Sequence, residues 1–243
     1  MPEAARAWPA GSPVDRFLYG RSTLPGPGNL CRVEIGTTHG PARVVVERGG
    51  DQPPFLLALT HGSGGGTGAP DLLAVRDVAI RFGAVVARIT QPYRVRGARA
   101  PGSAIKQDEA WVEIIAAVRE QAGPGCPLVQ GGRSNGARVA CRTATAVDAA
   151  AVIALAFPLH PPGRPERSRA AELRAPGRES RVLVVNGDRD PFGVPRRSTG
   201  VRVVVLAGET HALSRRPEAV GAAVAAWLPR VLGHEVSAGQ IIR

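Results

Sequence analysis

Three side chains in this sequence have the types and the chain order that nucleophilic acyl transfer needs: Ser134, Asp190 and His211. A serine hydroxyl is a poor nucleophile until a base takes its proton. Histidine suits that task, with an unperturbed pKa of about 6.5, and a carboxylate must then orient the ring and stabilise its protonated form. Ser134 sits in Gly132-Arg133-Ser134-Asn135-Gly136, a G-x-S-x-G pattern that puts a serine on a sharp strand-to-helix turn. The two glycines leave space where side chains would collide while the serine takes a strained backbone. Its oxygen then stands at the positive end of the following helix. Of the five histidines, His160 and His211 follow Ser134 in loops after strands, and His234 lies in the C-terminal tail. His211 comes after the last strand and before the last helix, where the base belongs in a Ser, acid, His order. The acid belongs after the preceding strand, where Asn186-Gly187 leads into Asp188-Arg189-Asp190-Pro191. Asp190 is the candidate, because Pro191 fixes its turn; Asp188 is expected to cap or brace that turn.

The tetrahedral intermediate of such chemistry needs donors for its oxyanion. One is the backbone N–H of Asn135, next after the nucleophile. The other is expected from His61-Gly62-Ser63-Gly64, where glycine lets the backbone approach a substrate: Ser63, with Gly64 as runner-up. His61 is expected to brace this loop. Gly64, Arg133 and His160 are candidate pocket-lining residues. Arg133 has two readings, a contact for an acidic substrate or a buried ion pair within the fold. The glycine-rich loop does not read as a phosphate loop, since Gly66-Thr67-Gly68 lacks the following Lys-Ser/Thr. Nor does it read as a dinucleotide fingerprint, which belongs after the first strand and not the third.

These residues need a sheet to carry them. Arg32–Thr37 and Arg43–Glu47 read as a hairpin. The apolar run from Phe55 to Thr60 reads as a strand buried on both faces, hence a parallel sheet. A helix over 71–82, a strand over 84–89, a basic loop over 91–101 and a helix over 107–121 follow. Then come the strand over 127–131 that leads to Ser134, a helix over 135–147, strands over 151–157, 181–186 and 201–206, and a closing helix over 217–232. The alternation predicts an α/β fold: a mostly parallel, doubly wound sheet with helices on both faces, in three layers. Residues 1–30 read as an irregular surface arm and 31–243 as a single domain. The stretch over 157–180 is too short for more than a small helix, so no large lid is expected.

Composition narrows the function classes. The net charge is +11, almost all from arginine, with Lys106 the one lysine. The arginines are scattered, without a basic run or interleaved aromatics, so no nucleic-acid partner is expected. Three cysteines with no C-x-x-C, and no H-E-x-x-H, indicate neither a disulfide framework nor a metal site. No cofactor is implied. The N-terminus lacks a signal-peptide pattern, and the most apolar run, 149–159, is too short for a bilayer, so a cytoplasmic protein without a membrane partner is expected.

The sequence resembles an α/β-hydrolase of the dienelactone-hydrolase-like group. Within it the resemblance is strongest to the branch of predicted hydrolases that includes testis-expressed protein thirty and the third regulatory subunit of the NSL complex. It rests on His61-Gly62-Ser63-Gly64-Gly65-Gly66, on 131–140 around Ser134, on Phe157-Pro158-Leu159-His160-Pro161-Pro162-Gly163, on Asn186 through Gly193, and on Glu209-Thr210-His211. The resemblance implies the three-layer hydrolase fold with Ser134, Asp190 and His211 as the triad. Dienelactone hydrolases carry a cysteine nucleophile where this chain has serine, so their substrate is not implied. The leading expectation is a serine hydrolase that cleaves a carboxylic ester or thioester of a small substrate through an acyl-enzyme. The alternatives are a scaffold or binding protein that keeps the fold, and an acyltransferase or perhydrolase on the same triad.

Overall fold

The computed structural model describes residues 15–16, 30–123, 125–177 and 181–233. Its strands form one sheet: β1 (Asp15–Arg16), β2 (Leu30–Ile35), β3 (Ala42–Arg48), β4 (Leu56–Thr60), β5 (Val85–Thr90), β6 (Leu128–Arg133), β7 (Ala151–Leu155), β8 (Arg181–Gly187) and β9 (Val201–Leu206). Their spatial order is β1-β2-β3-β5-β4-β6-β7-β8-β9. β3 runs antiparallel to β2 and to β5, and every pairing from β5 to β9 is parallel. The helices are α1 (Pro70–Arg81), α2 (Pro92–Val95), α3 (Ala104–Ala122), α4 (Asn135–Thr143), α5 (Ala170–Arg174) and α6 (Pro217–Leu232).

The central strands are apolar on both sides because both sides are covered. On β4, Leu56 and Ala58 point into a core shared with Trp111, Ile114 and Val139 of α3 and α4. Leu57 and Leu59 point the other way, into a core shared with Val75, Val78, Val220 and Trp227 of α1 and α6. That two-residue alternation is the pleat of a strand expressed as two separate cores. Trp111 and Trp227 are packing residues, as is Cys141, which is fully buried and whose thiol burial pushes up to about 12.

The expected sheet stands, with four corrections. The arm supplies a short strand, Asp15–Arg16, that pairs parallel with β2, and its last residue, Leu30, opens β2; the rest of it lies outside the described residues, as does His234. The loop over 91–101 contains helix α2, because Pro92 at its first position needs no hydrogen-bond partner for a missing N–H. α4 stops at Thr143, before the expected Val147, and turns lead to Asp148 at φ 47°. β7 stops at Leu155, because Ala156 adopts φ 45° and leaves the extended path. Between β7 and β8 the described residues hold only α5, so among the described residues no lid domain stands over the sheet.

One polar side chain ties the layers together. Gln130 is fully buried on β6. Its Oε1 accepts from Trp111 Nε1 at 2.7 Å, and its Nε2 donates to the Ala140 carbonyl at 2.7 Å. α3 and α4 are thereby both fastened to β6, the strand that carries the nucleophile candidate. Gln130→Leu strands the indole N–H in an apolar layer and is expected to cost about 1–3 kcal/mol in denaturant unfolding. The double variant Gln130→Leu/Trp111→Phe is expected to lose less than the sum of the two single changes.

Candidate active site

In the parallel register Thr60 lies beside Gly132 and Arg133 beside Leu155. The C-terminal ends of β4, β6, β7, β8 and β9 therefore open on one edge, where an α/β sheet binds ligands. Ser134 leaves β6 at φ 53° and ψ −112°, a strained conformation for a residue with a Cβ. It is held there by backbone packing. A Cβ on Gly132 would lie 2.7 Å from the Thr60 carbonyl, and one on Gly136 would lie 2.7 Å from the His61 carbonyl. Only glycine at both places lets β4 and the first turn of α4 close on the turn. The Ser134 N–H donates to the Leu155 carbonyl at 2.9 Å, which fixes the turn to β7.

His211 arrives on the loop after β9. Its Nε2 lies 2.9 Å from Ser134 Oγ, and its Nδ1 lies 2.8 Å from Asp190 Oδ2. Its ring also stacks on Phe192, with centroids 4.2 Å apart. The Asp190 side chain is fully buried. Its Oδ1 accepts from the Phe192 N–H at 2.9 Å, and its Oδ2 accepts from Asn186 Nδ2 at 3.2 Å. The three candidates thus form one hydrogen-bonded chain, drawn from three separate loops. Asp188 sits outside it: its Oδ1 accepts from the Gly208 N–H at 2.7 Å and ties the acid loop to the histidine loop.

The glycine-rich loop packs directly on Ser134, with a Cβ on Gly62 placed 3.3 Å from Ser134 Cβ. The Gly62 carbonyl is fixed from two sides, by His61 Nδ1 at 2.8 Å and by the Gly65 N–H at 3.2 Å. Because a trans peptide holds its N–H opposite its carbonyl, the Ser63 N–H is turned away from these bonds. Tyr93 donates its hydroxyl to the Ser63 carbonyl at 3.3 Å and steadies the next peptide. Ser63, Gly64 and Asn135 all border the cleft over Ser134. The Asn135 side chain is engaged elsewhere, donating to Gln107 Oε1 at 2.6 Å.

His61 is the brace that the sequence implied. Its Nε2 accepts from the Gln91 N–H at 3.1 Å, so Nδ1 carries the proton and donates to Gly62. Burial pushes this imidazole down to about 4, against the Gly62 carbonyl, which favours the charged ring; Arg94 adds a smaller push downward. Arg133 borders the cleft, yet its charge is spent within the fold. Its Nε lies 3.0 Å from the buried Asp71, and its NH2 group donates to the His211 carbonyl at 2.8 Å. Burial pushes the Asp71 carboxyl up to about 6, against the pull of Arg133.

His160 does not line the cleft. Its ring fills the space that a side chain at Gly193 would need, 2.4 Å from a Cβ there, and its backbone N–H donates to the Phe192 carbonyl at 3.0 Å. It supports the acid loop from behind. Among the contributors that escaped the sequence reading are Asp71, Asn186, Phe192, Arg138 and Arg169, the last three of which border the cleft. Asn186 gave one signal, its place between an apolar strand and the acid. Asp71 gave none, since a carboxylate in the first turn of a helix already has a local explanation.

A family model described as alpha/beta hydrolase domain matches residues 53–219. The chain belongs to this family. Among solved structures, a Xanthomonas campestris protein described as a serine hydrolase without lid superposes with a TM-score of 0.68 at 19% identity, covering 86% of this chain and 97% of that one. An alpha-beta serine hydrolase homologue from Coxiella burnetii gives 0.68 at 17% identity over 85% and 100%. A thermostable carboxylesterase from a metagenomic library gives 0.63 at 16% identity over 86% and 91%. At these identities the likeness is one of fold. No curated protein sequence matches the chain. Among the described residues no group of side chains could hold a metal ion, and no helix is long and apolar enough to cross a membrane.

The packing at the turn predicts that Gly132→Ala or Gly136→Ala costs about 1–3 kcal/mol in thermal unfolding, as overpacking against backbone does. His61 predicts a pH signature. Above its unfolded pKa of 6.5 the ring is neutral in both states and its contribution is complete; below that the unfolded chain takes a proton the folded chain refuses. Stability is therefore lost as pH falls from 6.5 towards about 4, by roughly 3 kcal/mol at most. Asp71 slopes the opposite way over part of that window, so the measurement is the difference between wild type and His61→Gln. The variant is expected to lose less stability on acidification.

Proposed function

We propose that the chain is a serine hydrolase that cleaves a carboxylic ester or thioester of a small substrate through an acyl-enzyme intermediate. One observation carries this reading: His211 lies 2.9 Å from Ser134 Oγ through one nitrogen and 2.8 Å from buried Asp190 through the other. In the first half-reaction Ser134 Oγ attacks the substrate carbonyl as its proton passes to His211 Nε2. Asp190 holds the ring in the tautomer that leaves Nε2 free to accept, and stabilises the imidazolium. The oxyanion is received by the backbone N–H of Asn135 and of Ser63, at the positive end of α4. Collapse expels the alcohol or thiol, which takes the proton from His211, and Ser134 is left acylated. Water then repeats the sequence in reverse roles, releasing the acid and restoring Ser134.

The cleft over Ser134 has a volume of about 470 Å³ and is open. That size suits a short acyl group or a small aromatic ester. A strained serine backbone, a closed hydrogen-bonded chain and the Ser63 and Asn135 backbones at the cleft edge favour catalysis over a scaffold role, since a scaffold has no use for the strain. The placement in the dienelactone-hydrolase-like group, next to the branch with testis-expressed protein thirty, is our finer reading of the same motifs. A cytoplasmic setting is likewise our reading, from a sparse set of three cysteines with no C-x-x-C pair.

A fluorophosphonate probe is expected to label wild type and not Ser134→Ala, with para-nitrophenyl acetate hydrolysis lost in parallel. Asp190→Asn is expected to lower kcat by on the order of ten-thousand-fold, as a wrongly held tautomer does. Folded wild-type protein that takes no label from fluorophosphonates of any chain length would overturn the reading.

A further inference from the structure

Four arginines lie along α4 and around the cleft over Ser134, and three carboxylates answer them. Arg133 pairs with Asp71 at 3.0 Å. Arg138 makes a two-pronged bond to Glu172, at 2.7 and 2.6 Å. Arg142 makes another to Asp108, at 2.7 Å for both prongs, and reaches Glu172 at 3.4 Å. Arg169 is the fourth. Among the described residues it has no carboxylate within ion-pair distance, and its guanidinium donates only to the Pro158 carbonyl, at 3.2 Å.

The surplus charge faces the cleft. Arg133, Arg138 and Arg169 all border the space over Ser134, and no aspartate or glutamate does. Glu172 cannot neutralise Arg169 as well, because Arg138 and Arg142 already share it; together they hold its carboxyl below the usual range despite burial. Arg169 itself is partly desolvated and is repelled by Arg138 and Arg167, with Glu172 in partial opposition, so its guanidinium lies below its ordinary value. An arginine stays charged under such pressure, and a bound anion relieves it.

The mount of Arg169 is built. Its backbone N–H donates to the Leu159 carbonyl at 2.7 Å. The Leu159-His160-Pro161-Pro162 stretch, which the sequence left without a role, therefore carries Arg169 on one side and the acid loop on the other.

Resting on the serine-hydrolase reading above, we propose that the cleft selects an ester bearing a carboxylate on its acyl or its alcohol side, and that Arg169 anchors that carboxylate. One uncompensated positive charge balances one carboxylate, and the planar guanidinium matches its two oxygens.

The test compares two matched pairs of esters with fluorophosphonate labelling run alongside. The acyl-side pair is the para-nitrophenyl half-ester of adipic acid against para-nitrophenyl hexanoate. The alcohol-side pair is para-(carboxymethyl)phenyl acetate against para-ethylphenyl acetate. Wild type is expected to favour the anionic member of one pair by about tenfold or more in kcat/KM, the scale of a charge-assisted contact. The pair that shows it names the side. Arg169→Ala is expected to bring that ratio to near one through KM, and Arg169→Lys to restore part of it. Arg202→Ala, a change on the exposed face of β9, is expected to keep the wild-type ratio. Normal labelling of Ser134 with no anionic preference in either pair would sink the anchor and leave the hydrolase reading intact. So would a folded Arg169→Ala that keeps the preference. Absent labelling would take down both.

Discussion

The active edge depends on one steric constraint: three stretches of backbone meet where no side chain can stand. The end of β4, the turn at Ser134 and the first turn of α4 close to the point where a Cβ at Gly132 or Gly136 would overlap a carbonyl oxygen. That contact does the work that side-chain packing does elsewhere in the core. It presses Ser134 into a conformation it would not adopt alone, and it brings the glycine-rich loop against the same residue. Ser134 and the backbone N–H groups of Ser63 and Asn135 proposed as oxyanion donors are therefore set by one packing event and need no separate alignment.

A second layer is electrostatic and lies beneath the first. The Asp71–Arg133 pair has little solvent to screen it, and Arg133 passes its grip to the His211 carbonyl. Glu209 completes the hold on that loop: it is fully buried and accepts the Arg216 N–H at 2.7 Å. Its backbone presses on β8 where Gly187 has no Cβ, since one there would fall 2.2 Å from the Glu209 carbonyl. The histidine thus rests on a loop pinned from both ends. His61 and Asp71 show the cost of building such a site dry: each is pushed toward its uncharged form by burial.

Much of this was legible in the sequence because it is local. A serine between spaced glycines, an acid just past an apolar strand and a histidine before the last helix each carry their context within a few residues. The two-sided apolar strands announced their covering layers in the same way. What escaped reading depends on subtraction across the fold. His160 looks like a pocket residue until Gly193, distant in sequence, provides the hole its ring fills. Arg169 looks like one more arginine in an arginine-rich chain. Its singularity appears only after Arg138 and Arg142 have claimed Glu172. Irregular ends, such as the stop of α4 at Thr143, turn on single backbone angles that composition does not encode.

The segment over 158–177 is held differently from the sheet it lies on. α5 buries Leu173 and otherwise leans on the Glu172 ion pairs, while β6 to β8 are buried almost throughout. A unit with so little apolar anchorage opens at a lower free energy than the core does. That wall of the cleft is therefore expected to open before the strands beside it. Amide exchange over 164–177 is free to run ahead of exchange in the strands, and sequence change there, beyond the His160 stretch that backs the Asp190 loop, can redraw the cleft while Ser134, Asp190 and His211 keep their places.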